Sequence, residues 1–214
     1  MSLGSAIRKA LGNRLSRRVG HHYRAAFVDL AKVAQALSAA IPADSNVLDV
    51  GGGDGEPLNY LLELRTDLRI TTIDLAPDVG QWVDSKHAAR VVRMPRTSIA
   101  QYLAVVKQYP DVLMLSDVMH HIPASQRSAF FESVSTLLRY SPGMRIIVKD
   151  VEPGFAKALF GYWADRYITG DKAVSPVARV DLISLVQSNL GPMRYEETGL
   201  FEVDKPNYVL VFYK

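Results

Sequence analysis

Asp49 and the glycines Gly51, Gly53 and Gly55 stand in the stretch NVLDVGGGDGEPLNYL, residues 46–61, between two apolar runs. Glycine loses more conformational freedom on folding than any other residue, so a cluster of it marks a place where something lies against bare backbone. Backbone N–H groups presented by such a turn at the start of a helix favour an anionic or strongly polar ligand group. Three ligand types compete for the loop. A triphosphate loop ends in Gly-Lys-Ser/Thr, because the lysine neutralises the phosphates, and the chain contains no such tripeptide. A dinucleotide turn follows G-x-G-x-x-G, whose third glycine lets the helix pack closely, but Glu56 occupies that third place. The pattern that fits is D-x-G-x-G-x-G. Its leading acid repels a pyrophosphate and suits a ligand carrying an ammonium group.

A second acid, Asp74, follows Asp49 by 25 residues. An acid at about that distance (roughly 20 residues) past a glycine turn accepts hydrogen bonds from ribose hydroxyls. A ligand with a ribose, an ammonium and no phosphate describes S-adenosyl-L-methionine.

The elements that must position these residues can be read from periodicity. Residues 5–19 and 22–40 have helical patterning; in the second, Phe27, Leu30, Val33, Ala34 and Leu37 fall on one face. After Pro42 the chain alternates β-rich and helical runs. Strands are expected at NVLDV, RITTIDL, ARVVRM, DVLMLSDV and MRIIVKDV. Helices are expected at EPLNYLLELRTD, SIAQYLAVVKQY, ASQRSAFFESVSTLLRY and ARVDLISLVQSNLG, and a turn with a short helix at APDVGQWVDSKHAA. Strands separated by helices make βαβ units and a parallel sheet covered on both faces. The ending differs: RYEETGLFEV and NYVLVFYK are joined only by DKP, too short for a crossover, so these strands pair antiparallel. The expected architecture is α/β, a doubly wound and mostly parallel seven-stranded sheet with a terminal antiparallel strand. Residues 1–44 form an N-terminal helical extension and 45–214 the ligand-binding domain.

Through VLDVGGGDG, TTIDLAP, DVLMLSDVMHHIP, MRIIVKDVEPG and the terminal strand pair, residues 45–214 resemble the class I S-adenosylmethionine-dependent methyltransferases. The resemblance implies that Asp49 and the backbone of Gly51, Gly53 and Gly55 hold the methionine part, that Asp74 holds the ribose, and that Leu75 flanks the adenine. Where family members often carry an acid for the adenine amino group, this chain reads Arg93-Met94-Pro95. Met94 is expected to supply an apolar wall and a backbone contact instead, and Asp117, after the fourth strand, to complete the cofactor site.

Methyl transfer from a sulfonium is an in-line displacement in which positioning does much of the work. A base is needed only when the acceptor arrives protonated. His121 and His120, in SDVMHHIP, are the candidate bases, since neutral histidine suits that task near pH 7; the alternative is that they merely line the pocket. Some related O-methyltransferases hold a magnesium ion between acids after the fourth and fifth strands. Asp117 and Asp150 occupy similar places, but Val151 stands where asparagine is usual, so no metal is assigned. His21, His22 and His87 are read as surface residues. Residues 153–176 carry Phe155, Phe160, Tyr162, Trp163 and Tyr167. They are read as a lid, with Tyr162, Trp163 and Tyr167 the candidate contacts to an apolar or aromatic small-molecule acceptor.

Bulk composition bounds the remaining possibilities. The chain has 214 residues, 48% hydrophobic and 22% charged, enough for one well-buried core. With no cysteine, neither a disulfide framework nor a thiolate nucleophile is available. No apolar run reaches the roughly 18 to 20 residues a membrane span requires, and the first 25 residues lack the apolar centre of a secretory signal. A cytoplasmic protein is therefore expected. Six cations (Arg8, Lys9, Arg14, Arg17, Arg18, Arg24) and no acid precede Asp29, leaving the remainder at −3 against a total of +3. Such an arm can meet anionic lipid or nucleic acid, or be a solvated helix face. No aromatic platform interleaves it, and the Asn-Pro-Pro-Tyr signature of amino-group methylation on nucleobases is absent. Nucleic acid is thus the less favoured partner. An RNA-associated or non-catalytic protein on the same fold is the alternative, and aminopropyl transfer a weaker one.

Overall fold

The computed structural model describes residues 29–154, 174–198 and 207–214. The expected helix over 5–19, the basic arm with His21 and His22, and the lid aromatics Phe155, Phe160, Tyr162, Trp163 and Tyr167 lie outside the described residues.

Seven strands form one sheet: β1 Asn46–Val50, β2 Arg69–Asp74, β3 Val91–Pro95, β4 Val112–Ser116, β5 Arg145–Val151, β6 Arg194–Glu197 and β7 Asn207–Tyr213. Their order is β3-β2-β1-β4-β5-β7-β6. Pairings from β3 through β5 are parallel, and β7 runs antiparallel to both β5 and β6. The chain winds outward from β1 in one direction and from β4 in the other, so strand order reverses between them. A crevice opens at such a point, beyond the carboxyl ends of the strands.

Side chains alternate across the sheet, and both faces are covered. Leu48, Leu113, Leu115, Ile146, Val148, Leu210 and Phe212 pack with Phe131, Val134 and Leu137 of α4 (Arg127–Tyr140) and with Leu182 and Val186 of α5 (Arg179–Leu190). On the other face, Val47, Ile70, Val112, Met114, Ile147, Val209 and Val211 meet Val33 and Leu37 of α1 (Leu30–Ala40) and Leu58, Leu61 and Leu62 of α2 (Glu56–Leu64). Each fully buried Leu or Phe contributes about 1.5–3 kcal/mol relative to exposure. That scale is why VLMLS of β4, buried on both sides, carries almost no polar residue. No helix among the described residues is long and apolar enough to cross a membrane.

Local chemistry sets the helix ends. The Asp29 carboxylate accepts from Ala31 N and Lys32 N, each at 3.2 Å, and so starts α1. A reciprocal capping box between Ser98 and Gln101 starts α3, Ile99–Val105. That helix is shorter than SIAQYLAVVKQY suggested. Pro110 disfavours helical backbone at Tyr109, whose ring instead stacks on Tyr140 at 4.9 Å between centroids. APDVGQWVDSKHAA likewise forms only a 3-10 turn, Ser85–Arg90.

His87 in that turn is buried rather than on the surface. Arginine has no acceptor atom, so His87 Nδ1 accepts from the Arg90 guanidinium at 2.9 Å. The same guanidinium donates to Leu62 O and Arg65 O at the end of α2. A histidine that completes this set of bonds is drawn into the packing.

Candidate active site

The glycine turn follows β1 and folds back over β2. Gly51 N donates to Ile73 O at 2.8 Å, and Gly52 N to the same oxygen at 3.3 Å. Gly52 is the most tightly enclosed glycine of the turn. A Cβ there would lie 1.8 Å from Thr72 Oγ1 and 2.4 Å from Asp49 Oδ2. Thr72 Oγ1 in turn donates to Asp49 Oδ2 at 2.8 Å. Asp49 therefore sits beneath the turn, buried, as part of the platform that carries it. Burial pushes its carboxyl up to about 7; the charge of Asp74 adds to this and the Thr72 hydrogen bond opposes it. Gly52→Ala is expected to destabilise the fold by about 1–3 kcal/mol, the usual cost of overpacking. An unchanged thermal midpoint would show that Thr72 yields freely.

A strap over residues 79–84 braces the turn from outside. Gly80 N donates to Gly53 O and Trp82 N to Asp54 O, both at 2.8 Å. Gly55, at φ +80°, leaves no space for a Cβ, which would meet Gly80 Cα at 2.8 Å. Asn59 of α2 holds the strap at two points, donating to Trp82 O at 2.9 Å and accepting from Asp84 N at 2.8 Å. Asn59, Thr72 and Gly52 escaped the sequence reading, which looked only for alternate glycines and acids.

Asp74 ends β2 and points back to the turn. Its Oδ2 accepts from Gly53 N at 3.0 Å and its Oδ1 from Ala76 N at 2.8 Å. A carboxylate offers about four acceptor positions, so both oxygens keep capacity for hydroxyl donors. Leu75 beside it is 75% exposed, although large and apolar. Met94, half-buried, lies across from Ile73 in the β2–β3 register, and Pro95 across from Asp74. Asp74, Leu75 and Met94 thus come together at one end of the sheet, next to Gly53.

On the other side of the crevice, the segment after β4 faces the glycine turn: a Cβ on Gly51 would approach Val118 Cγ2 at 2.7 Å. Asp117 adopts a left-handed φ of +58°. Its amide donates to Lys149 O at 2.8 Å. Its carboxylate accepts from Lys149 Nζ through both oxygens, at 2.6 and 2.8 Å. Burial opposes the charge on Asp117 most strongly, but Lys149, His120 and His121 together outweigh it and hold the carboxyl below the usual aspartate range.

The two histidines part company here. His120 is buried, and its Nδ1 lies 2.6 Å from Oδ1 of the fully buried Asp150. Its backbone N–H points at Asp150 Oδ2, at 3.3 Å. Val151 N also donates to Asp150 Oδ1, at 2.8 Å. His121 is exposed, its ring 4.2 Å from that of His120 between centroids. From α4, Arg127 donates to Ile122 O and Ser175 O, while Ser175 N donates to His120 O at 2.7 Å, pinning the histidine backbone. Asp150 was weighed in the sequence only as a metal ligand, and Lys149 not at all. The available signal was two adjacent charges directly after the apolar run IIV in MRIIVKDV.

Ligand atoms of Asp117, His120 and Asp150 lie within 4.8 Å of one another. That spacing alone is compatible with a cation, but the charges do not fit one. Lys149 already occupies both Asp117 oxygens, and Asp150 is taken by His120 and Val151 N. Magnesium needs several uncommitted oxygens.

A family model described as a methyltransferase domain matches residues 21–188. No curated protein sequence matches the chain significantly. Among solved structures, the mitomycin 7-O-methyltransferase MmcR is similar at 18% identity and a TM-score of 0.63, covering 86% of this chain and 53% of its own. Human N-acetylserotonin methyltransferase, in complex with SAM, aligns at 16% identity and a TM-score of 0.65 over 99% of this chain and 59% of its own. The chain thus spans between half and three fifths of those two proteins. Burkholderia thailandensis 1,6-didemethyltoxoflavin-N1-methyltransferase aligns at 16% identity and a TM-score of 0.63, covering 99% of this chain and 87% of its own. At such identities the likeness to solved structures is one of fold. With the domain match spanning most of its length, the chain belongs to the methyltransferase-domain family.

Proposed function

We propose that the protein transfers a methyl group from S-adenosyl-L-methionine to an oxygen or carbon of a small apolar or aromatic acceptor. One observation carries the reading: Gly53 N is bonded to Asp74 Oδ2, which makes the glycine turn and the ribose-type acid a single surface at the point where strand order reverses. Asp74 would accept the ribose hydroxyls there, Leu75 and Met94 would bound the adenine, and the turn from Gly51 to Gly55 would receive the methionine part. The similar solved structures, a mitomycin 7-O-methyltransferase, an N-acetylserotonin methyltransferase in complex with SAM and an N1-methyltransferase with bound S-adenosylhomocysteine, support the same donor. The apolar acceptor rests on the five aromatics of residues 155–167.

When bound, S-adenosyl-L-methionine supplies a methyl carbon whose bond to sulfur breaks with the electron pair leaving on sulfur. The chain's own part concerns the acceptor proton. The Asp150 carboxylate accepts a hydrogen bond from Nδ1–H of His120, which leaves the other ring nitrogen, Nε2, as the proton acceptor. His120 would receive the proton from an acceptor hydroxyl, and Asp150 would stabilise the imidazolium that forms. The pinned backbone of His120 keeps the ring in one orientation, which is what general base catalysis requires.

Calorimetry tests the donor. Wild type should bind S-adenosyl-L-methionine in the micromolar range. Asp74→Ala should bind about 10–100-fold more weakly, since hydrogen bonds to a charged group contribute about 1.5–3 kcal/mol each. No binding heat with the wild type would sink the proposal.

A further inference from the structure

The reaction does not account for the ion pair between buried Lys149 and half-exposed Asp117, and buried lysine is uncommon enough to need a reason. Lys149 is 1% exposed and Asp150, its neighbour in β5, 0%. The two side chains leave opposite faces of the strand, and Asp117, with its left-handed backbone, links them: it accepts from Lys149 Nζ and lies within 4.8 Å of Asp150. The Asp117 side chain stays 42% exposed on the crevice side, with the ammonium behind it. Asp117, His120 and Asp150 thus share one small volume, and Lys149 is the cation attached to it.

We propose that Lys149, acting through Asp117, is a positioning residue that lowers the proton affinity of the His120 ring, so that the ring is available to accept a proton from substrate. The inference rests on His120 being the base. Among the described residues, the titratable groups placed around His120 are Asp117 and His121 from its own segment, Asp150 from β5, and Lys149 through its pair with Asp117. Arg127 of α4 is linked to it through Ser175, and the described stretch 174–178 brings no charge. Tyr208 of β7 turns its hydroxyl to Val177 O, at 3.1 Å. With a neutral ring the cluster of Asp117, Lys149, Asp150 and His120 carries one net negative charge. Without the ammonium it would carry two, and each uncompensated carboxylate draws a proton onto the ring. Lys149 also holds both oxygens of Asp117, so that this carboxylate cannot swing to compete with Asp150 for the histidine.

Nuclear magnetic resonance titration of the His120 ring in the full-length protein, assigned by comparison with His120→Gln, reads the effect without substrate or cofactor. Lys149→Met keeps the length and apolar stem but removes the charge. The His120 midpoint should rise by about one pH unit or more, given how strongly a nearby charge acts in a buried site. Lys149→Arg should return it to within a few tenths of a unit. The double variant Asp117→Asn/Lys149→Met removes both charges, spares the fold the unpaired carboxylate that the single variant leaves, and should also titrate near wild type. A midpoint unmoved in Lys149→Met, or moved equally in the double variant, would overturn the proposal. Because no methyl transfer is measured, failure here leaves the donor reading to its own calorimetric test.

Discussion

Replacing His120 by alanine is expected to lower turnover of a hydroxyl acceptor about 10²–10⁴-fold, the usual contribution of a positioned general base. The affinity for S-adenosyl-L-methionine should stay within a few fold by calorimetry. Turnover is scored as S-adenosylhomocysteine released with a panel of phenols. Sequence alone put His121 ahead of His120, and the tertiary contacts favour His120 instead. A base must be held in one tautomer and one orientation. His120 has a buried carboxylate 2.6 Å from Nδ1 and a backbone tied to Asp150 and Ser175. His121 is exposed beside it, so His121→Ala should cost much less. Asp150→Asn should resemble His120→Ala, because an amide can present a hydrogen to Nδ1 and reverse the tautomer. If His121→Ala abolished turnover while His120→Ala did not, the dyad would be structural and His121 would be the base.

The second large effect is on stability and runs against the usual pH trend of a carboxylate. Asp49 has its carboxyl raised from 3.8 to about 7 by burial, with Asp74 adding and Thr72 opposing. The unfolded chain therefore releases this proton at lower pH than the folded one. Below about pH 4 both states hold it and the contribution is complete. As pH rises from 4 to 7 the unfolded state gains from ionising first and the fold loses stability, by about 4 kcal/mol at most from that shift. Above about 7 the loss is constant. Asn keeps an acceptor for the Thr72 hydroxyl but cannot ionise. Asp49→Asn should match wild type near pH 4 and exceed it by up to that amount at pH 8, measured as denaturant midpoints with no ligand present. Taking the difference between the two proteins cancels every other titrating carboxyl. A difference that did not change between pH 4 and pH 8 would show that the folded protein solvates Asp49 well. The effect also gives the acid a use: a ligand ammonium arriving above the turn would recover part of the cost of ionising it.

Fold class was legible because its signals are local and repeated. Alternating apolar runs, the early Pro57 in α2 and Gly191 after α5 each specify a nearby backbone state, and the observed elements follow them. What was misjudged depended on contacts between distant segments. SIAQYLAVVKQY carries a helical pattern to Tyr109, but Pro110 and the ring of Tyr140 draw that tyrosine out of the helix. His87 looked like a surface residue because nothing nearby in the chain reveals that Arg90 would turn it inward to cap α2.

For the proposed site, the donor half was legible in the chain alone: D-x-G-x-G-x-G followed by Asp74 is a local motif, its parts one turn and the end of the neighbouring strand. Tertiary structure decided the rest. It placed Asp49 under Gly52 instead of in the open crevice, and set Asp117 on Lys149 and His120 on Asp150 across two strands that are neighbours only in the sheet. The physical reason is one of range. Turn geometry and periodicity are written within a few residues, whereas burial and ion pairing arise between residues about thirty positions apart, which only parallel pairing of β4 with β5 brings within a hydrogen bond.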